Sequence, residues 1–261
     1  MEVTEGRMLA AERRKIILEK LQSEKKVVVS LLVDDFGVSD ETIRRDLDAL
    51  GADGYALKIY GGAVLNENEP DLPFGVRFQH NPAEKRIIAG LVEPLVRDGE
   101  SVIFDASTTA LFIAKALKNK RNLSVITNSI EVLVELKDMP EWNVLSSGGS
   151  LMGDFLALTG QRAIAAFSAC YADKFIFSCK GLDAEHGIFD SIDDLSQVKQ
   201  AMLRSAATKI LAADMTKFDR TAFSKIADFS DIDIIVTDTR PGDRWLDCFS
   251  RLGIRCIFPA Q

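Results

Sequence analysis

Histidine and cysteine are scarce in this chain, with two and four residues among 261. His80 and His186 stand apart, which argues against a histidine-centred metal site, and no cofactor is expected. Cys170, Cys179, Cys248 and Cys256 form no C-x-x-C pair and no zinc spacing. They read as buried reduced thiols, which fits a cytoplasmic protein. No apolar run approaches the length of a membrane span. The first residues carry Glu2, Glu5 and Arg7 and lack the apolar core of a signal peptide. Excess positive charge is also missing: the formal net charge is -7, and residues 1 to 60 hold ten Lys or Arg against twelve Asp or Glu. That balance argues against a protein that coats nucleic acid non-specifically. Internal repeats and low-complexity stretches are absent. What is present is 47% hydrophobic, ample for a core, in a length suited to one or two domains.

The most informative stretch runs from Val38 to Leu47, Val-Ser-Asp-Glu-Thr-Ile-Arg-Arg-Asp-Leu, followed by Tyr60-Gly61-Gly62-Ala63. Ser39 is a good N-cap, and Asp40 and Glu41 sit where the helix dipole favours acids. Ile43, Leu47 and Leu50 recur at helical spacing and mark a buried stripe, while Thr42, Arg44 and Arg45 face away from it. Paired arginines on a helix are commonly a solvated face; on a short capped helix they also suit a major groove, where guanidinium pairs with guanine or phosphate. The upstream residues favour the second reading. Arg13 to Leu21 is amphipathic, with Ile16, Ile17 and Leu21 on one side. Val27 to Val29 reads as a strand, Ser30 to Phe36 as a helix, and Gly37 as the turn before Ser39. Helix, strand, helix, turn, helix and a Gly-rich hairpin is the order of a winged helix-turn-helix. DNA affinity in a negative domain must come from local placement of Arg13, Arg14, Lys15, Arg44, Arg45 and Lys58, so binding is expected to be salt-sensitive and site-specific.

Residues from about 13 to 65 resemble the N-terminal domain of DeoR-type bacterial transcriptional repressors. The match lies in Phe36-Gly37-Val38-Ser39, in Thr42-Ile43-Arg44-Arg45-Asp46-Leu47 and in Gly61-Gly62-Ala63. Three features depart from the family pattern. Lys58 stands where Arg is usual, keeping the charge but losing the bidentate fork. Tyr60 stands where His is usual, and Leu31-Leu32-Val33 replaces an acid, Leu and Ala. The resemblance implies DNA contacts from Ser39, Thr42, Arg44, Arg45, Lys58 and Tyr60.

Residues 66 to 73, polar with two prolines and three acids, read as linker. Beyond them short apolar runs at residues 102–104, 123–126, 144–145, 174–177, 210–213 and 232–236 alternate with helical patterns at 109–117, 130–136, 161–167 and 195–207. That alternation indicates a mostly parallel sheet covered on both faces. Each run leads into polar residues: Asp105 to Thr109, Thr127-Asn128-Ser129, Ser146 to Gly149, Ser178 to Gly181, Asp214 to Lys217, and Thr237-Asp238. In open parallel sheets ligands sit beyond the carboxyl ends of the strands, and six polar ends on one edge point to a ligand site.

Ser107, Thr108 and Thr109 lie where strand turns into helix, and free N–H groups with three hydroxyls suit a phosphate. An ordinary N-cap at Ser107 or Thr108 needs only one of those hydroxyls. Asp105 is suited to accepting hydrogen bonds from sugar hydroxyls, and Asn128 and Ser129 form a second corner for either task. Gly148-Gly149 permits close backbone approach or makes a plain turn. Lys199 follows an acidic loop, and a lone lysine there is as readily solvated as functional; Lys217, three residues after Asp214, is similar. Arg77 and Lys85, just beyond the linker, are placed to reach an anion from the hinge.

Residues from about 74 to 240 resemble the DeoR C-terminal sensor domain. The likeness rests, in order, on Phe74 with Arg77, Lys85, Asp105/Ser107/Thr108/Thr109, Thr127-Asn128-Ser129, Gly148-Gly149, Lys180-Gly181, Lys199, Asp214/Thr216/Lys217-Phe218 and Thr237-Asp238. It implies an α/β fold resembling ribose-5-phosphate isomerase, a phosphorylated sugar effector, and effector contacts from Arg77, Lys85, Asp105, Ser107, Thr108, Thr109, Thr127, Asn128, Ser129, Gly148, Gly149, Lys180, Gly181, Lys199, Asp214 and Lys217. Ser107 replaces the commoner Gly, and Ser178-Cys179-Lys180-Gly181-Leu182-Asp183 is similar to the branch holding fucose-operon regulators. The expected layout is a winged helix-turn-helix DNA-binding domain at 8–65, a linker at 66–75 and a sensor domain at 76–261. The expected function is a non-enzymatic, sequence-specific regulator, a repressor of a carbohydrate operon. It would act as a homo-oligomer, dimer or tetramer, on a double-stranded operator and be released by a sugar phosphate. The competing readings are a sugar-phosphate isomerase with an attached helical domain and a scaffold using that head for protein contacts.

Overall fold

The computed structural model describes residues 9–52, 55–65 and 72–260. The chain divides into two compact units, Met1–Leu72 and Pro73–Gln261. Residues 66–71 of the expected linker, and Glu2, Glu5 and Arg7, lie outside the described residues.

Unit 1 runs α1 (Ala10–Glu24), β1 (Lys26–Val28), α2 (Val29–Phe36), α3 (Asp40–Ala52), β2 (Ala56–Ile59) and β3 (Gly62–Leu65). The strands form one antiparallel sheet in the order β1-β3-β2, with Val27 opposite Ala63 and Lys58 opposite Ala63 on its other side. This is a winged helix-turn-helix. The first strand ends one residue earlier than the β-branched run suggests, because Val29 already enters α2 and its side chain joins the core. That core is Ile17, Leu21, Val27, Val29, Leu32, Ile43, Leu47, Leu50, Ala56 and Ala63. On α1 the inward stripe is Arg13, Ile17 and Leu21, at i, i+4 and i+8, and Ile16 is only half-buried.

Arg13 therefore does not serve the DNA surface as the sequence reading expected. It is buried, and its Nε donates to Asp46 Oδ2 at 2.5 Å across the α1–α3 contact. The ion pair sits on the inner side of α3, so Asp46 in the Arg-Arg-Asp run points opposite to the arginines before it.

Unit 2 runs α4 (Phe74–Gln79), α5 (Pro82–Val92), β4 (Ser101–Phe104), α6 (Thr108–Ala116), β5 (Ser124–Thr127), α7 (Ile130–Leu136), β6 (Asn143–Ser146), β7 (Ser150–Met152), β8 (Ala157–Thr159), α8 (Gln161–Ser168), β9 (Ala172–Phe177), β10 (Gly181–Asp183), β11 (Gly187–Asp190), α9 (Asp193–Arg204), β12 (Ala206–Ala212), β13 (Ser224–Ala227), β14 (Ile234–Val236), α10 (Asp243–Arg251) and β15 (Arg255–Ile257). Seven strands form one sheet in the order β15-β14-β12-β9-β4-β5-β6, every neighbouring pair parallel. The expected parallel α/β unit is present, with its six anticipated strands and β15 added at the edge. Two antiparallel additions, β7-β8 and β10-β11-β13, lie outside that pattern.

Both faces of the sheet are packed. Phe175 and Phe177 face one core with Ile103, Leu211, Ile235, Val198 and Trp245. Ile176 between them faces the other, with Val102, Phe104, Ile210, Ile88 and Ile113, as the two-residue period of a strand requires. Helix α6 is buried from Thr108 to Ala114, so it is apolar nearly all round and shows no solvent face.

Strand order fixes where the crevice lies. From β4 the chain steps outward through β5 to β6, then returns to the other side of β4 for β9, β12, β14 and β15. The switch point is between β4 and β9, where successive connections diverge to opposite faces and leave room for a ligand.

Arg13→Ala would leave Asp46 buried without a partner, and a loss of about 3–5 kcal/mol in unit 1 is expected. Arg13→Met with Asp46→Leu is expected to recover most of it. Urea unfolding followed by far-UV circular dichroism measures this, while tryptophan emission serves as a control, because Trp142 and Trp245, the two tryptophans of the chain, belong to unit 2.

Candidate functional site

Ser39 ends the turn before α3, and its Oγ accepts the Thr42 amide at 3.3 Å and meets Thr42 Oγ1 at 2.8 Å. Arg44 and Arg45 are exposed, each held by the acid one turn earlier: Arg44 by Asp40 and Arg45 by Glu41 at 3.2 Å. An acid placed N-terminal to its base at this spacing is the favourable orientation. Such exposed pairs are weak and readily exchanged for phosphate. Lys58 on β2 pairs with Asp48 on α3, joining wing to helix. Tyr60 projects fully into solvent at the hairpin tip. Ser39, Thr42, Arg44, Arg45, Lys58 and Tyr60 are thus gathered on the outer side of one unit.

In unit 2 the buried ammonium of Lys199 occupies the switch point. It lies 3.0 Å from Asp105 Oδ2, 2.6 Å from Asp190 Oδ2 and 2.7 Å from the Ser178 carbonyl. Burial alone disfavours its charge, but Asp190 and then Asp105 outweigh that and hold the ammonium above its usual range. The lysine is neither solvated nor free. Asp105 is equally occupied: Oδ2 also accepts the Ser178 amide at 3.3 Å, and Oδ1 accepts the Ser107 amide at 3.2 Å and hydroxyl at 2.6 Å. Asp190, the second carboxylate, begins the acidic loop read ahead of Lys199, but nothing local marked it among those acids as the partner of the lysine.

Ser107 in turn caps α6, its Oγ accepting the Ala110 amide at 3.0 Å. Of the three hydroxyls in Ser107-Thr108-Thr109, the first is therefore spent as an N-cap. Thr108 and Thr109 follow in the first turn, where helical geometry leaves their amides without an intrahelical acceptor. Neither their amides nor their hydroxyls have a hydrogen-bond partner among the described residues. Thr127 and Ser129 are structural here: Thr127 Oγ1 donates to the Phe104 carbonyl at 2.9 Å, and Ser129 caps α7 through the Val132 amide at 3.2 Å. Asn128 donates to the Leu158 carbonyl at 3.0 Å, leaving its Oδ1 buried without a partner among the described residues.

Gly149 and Gly181 are explained by the protein's own backbone. A Cβ at Gly149 would lie 2.4 Å from the Thr159 carbonyl oxygen, and one at Gly181 would lie 2.5 Å from that of Arg220. Gly148 meets nothing within 4 Å and takes a left-handed φ of +61°. Asp214 accepts the Thr216 amide at 3.0 Å and the Thr216 hydroxyl, closing the turn after β12.

Cations collect around this edge. Lys85 is buried and donates to the carbonyls of Arg77, at 2.5 Å, and His80. Burial, opposed by Asp214 and reinforced by Lys217 and Arg77, brings its pKa down to about 8. His80, isolated along the chain and not expected at a site, feels Lys85, Lys217 and Lys180; burial first, then those charges, opposed by Asp214, lower it to about 4. Arg77 lies over the rings of Phe155 at 4.8 Å and Phe74 at 5.6 Å. Burial pushes the thiol of Cys179, beside these groups, up to about 12, so it is inert. All four cysteines are free; Cys179 and Cys248 are buried as expected, while Cys170 and Cys256 are only partly so.

Comparison with known proteins agrees with this construction. The DeoR-like helix-turn-helix domain matches residues 13–69, and the DeoR C terminal sensor domain matches residues 80–239. An uncharacterised HTH-type transcriptional regulator of Bacillus subtilis is 36% identical over 233 residues, covering 89% of this chain and 90% of that one. A transcriptional repressor of Agrobacterium fabrum is 32% identical over 230 residues, with 87% and 89% covered. The L-fucose operon activator of Escherichia coli is 30% identical over 236 residues, with 89% and 96% covered. Among solved structures, a ribose 5-phosphate isomerase of Methanocaldococcus jannaschii overlaps 53% of this chain and 55% of its own at 14% identity and a TM-score of 0.38, too partial a likeness to bear on activity. A winged head with outward arginines, on one chain with a parallel α/β unit, defines a DNA-binding transcriptional regulator. This chain belongs to the DeoR family. It is a regulator and not an enzyme. No helix among the described residues is long and apolar enough to cross a membrane.

The lowered His80 value has a consequence for acid stability. Between about pH 6.5 and 4 the unfolded chain takes up a proton that folded His80 resists, so stability falls as pH drops through that window. Unit 2, followed by tryptophan emission in urea, is expected to lose stability between pH 7 and 5, and His80→Gln is expected to flatten that dependence.

Proposed function

We propose that the chain represses a carbohydrate-catabolism operon as a cytoplasmic homo-oligomer and leaves its operator when a small phosphorylated sugar binds unit 2. The observation that carries this reading is the start of α6. Two amides and two hydroxyls of Thr108 and Thr109 stand open at a helix N-terminus. The same edge of the sheet carries Arg77, Lys85, Lys180 and Lys217, which act electrostatically on one another or on His80. Helix N-terminus and cations both favour an anion, and a phosphate monoester satisfies several donors at once. In this reading Asp105 and Lys199 position the loop, since they neutralise each other inside the protein, and that leaves neither as a free proton acceptor for an isomerase. Asn128, with its open carbonyl oxygen, is the group best suited to a sugar hydroxyl. Relatives include both a transcriptional repressor and an L-fucose operon activator, so the sign of regulation is read from transcription with and without effector.

On DNA, α3 would enter the major groove with Arg44 and Arg45 exchanging their acidic partners for bases and phosphates, while Lys58 and Tyr60 of the wing follow the backbone. An oligomer would present paired heads to paired half-sites.

A thermal-shift screen with hexose, pentose and triose phosphates beside the unphosphorylated sugars is expected to raise the melting point for a phosphorylated member only. Thr108→Val is expected to abolish that shift while operator binding persists; a normal shift in the variant would move the phosphate site elsewhere. On the DNA side, Arg44→Ala and Arg45→Ala are each expected to weaken operator binding about ten- to hundredfold without changing the ligand shift. Lys58→Ala is expected to reduce the slope of log affinity against log salt by about 1. Unchanged footprints in both arginine variants would remove α3 from the groove.

A further inference from the structure

Lys85 is the most unusual charge in unit 2. Its residue is 5% exposed, yet it makes no ion pair among the described residues. An ammonium has three donors, and two of them go to the carbonyls of Arg77 and His80. The third has no partner among the described residues. A buried cation whose hydrogen bonds go only to neutral carbonyls, with Asp214 and Glu84 acting on it without an ion pair, is incompletely compensated, and a directly bound anion would complete that compensation.

The carbonyls it holds matter because they end α4. Arg77 is in the last turn of that helix and His80 is its C-cap, where carbonyls are short of N–H donors; besides Lys85, the Arg77 carbonyl accepts the His80 amide, at 3.3 Å. Six residues are too few for a helix to persist unaided. Helix α4 is kept by buried Phe74, by Phe78 against Phe112 of α6 with ring centroids 5.0 Å apart, and by Lys85 from α5. It is also the first element after the division between the two units.

We propose that Lys85 is the positioning residue through which an anion captured among the cations of unit 2 acts on α4, its ammonium leaving the carbonyls of Arg77 and His80 for the anion and uncapping the last turn. The inference rests on the anion-site reading above and adds its regulation. A charge-assisted hydrogen bond to phosphate is stronger than one to a neutral carbonyl, so the exchange is favourable once phosphate is present. The charged groups acting most on Lys85 are Asp214 and Lys217 after β12, Arg77 on α4 and Glu84 on its own helix. His80 and, through it, Lys180 complete the surroundings. Lowering of Lys85 to about 8 gives the device a pH limit: above that value the ammonium loses its proton and the coupling with it.

The test uses the full chain with inorganic phosphate at tens of millimolar, chloride as control, and the sugar phosphate giving the largest shift in the screen. Hydrogen exchange of residues 73–81 is read with and without ligand, beside operator affinity at saturation of each variant. In the unsubstituted protein, exchange in α4 is expected to speed up on ligand binding and operator affinity to fall about tenfold. In Lys85→Gln, α4 is expected to exchange fast already, and the operator response to shrink below about twofold. The response of the unsubstituted protein is expected to fade as pH rises past 8, whereas Lys85→Arg, whose charge persists, retains it at about pH 9.5. A merely structural lysine would not move that profile. If ligand raises the melting point and weakens operator binding while α4 exchange stays constant, or if Lys85→Gln responds in full, the role of Lys85 is overturned and the anion site stands. If no phosphate compound binds at all, both fall.

Discussion

One buried cation organises the candidate site. Lys199 joins three pieces of backbone that are distant in sequence: the loop after β4 through Asp105, the loop after β9 through Ser178, and the end of β11 through Asp190. The other oxygen of Asp105 then holds Ser107, and Ser107 holds the Ala110 amide. The orientation of the first turn of α6 is the last link in that chain of hydrogen bonds. Removing a charge from water is costly, so such a cluster adds little net stability, and its effect is to tie these three segments into one arrangement. With two carboxylates about one ammonium, the cluster carries no spare positive charge. In the proposed reading the anion would meet cations outside this cluster, on α4, α5 and the strand ends: Arg77, Lys85, Lys180 and Lys217.

Unit 1 repeats the device on a smaller scale. Arg13 and Asp46 fix the inner side of α3 against α1, and the outer side is left to Arg44 and Arg45. Three consecutive charged residues on one helix, Arg44-Arg45-Asp46, thereby take opposite roles, because successive positions turn through about 100°. The same arrangement explains how a chain of net charge -7 holds a DNA-binding head. Acids are placed beside Arg44, Arg45 and Lys58, where they screen the free protein and, in the proposed reading, would give way to phosphate on the operator.

Much of the architecture was legible from local pattern. The six apolar runs became strands, and the helical stretches became α6, α7, α8 and α9 within two or three residues at each end. Those elements are strongly periodic, and their caps, Ser39, Ser107 and Ser129, are visible as residue types. Helices α5 and α10, with 11 and 9 residues, were not anticipated although they are long enough to show a period; the other missed elements are short, α4 with six residues and the strands of the β7-β8 hairpin with three each. Strand β15 was missed for the same reason. At the site, the residues that end strands were found because polarity at a strand end is a local signal. Asp190 and His80 were not, because their importance is pairing and burial, which arise between segments.

The amino-acid sequence by itself determined the class of each element, the winged head, the parallel α/β unit and the family, since these follow from periodicity, capping chemistry and motif order along the chain. Only the tertiary structure decided what each charge does. It buried Arg13 against Asp46, locked Asp105 to Lys199, spent the Ser107 hydroxyl as a cap and left Lys85 on two carbonyls. The physical reason is that a side chain's role depends on its partners and its access to water, and both are set by strands and helices that meet across tens of residues.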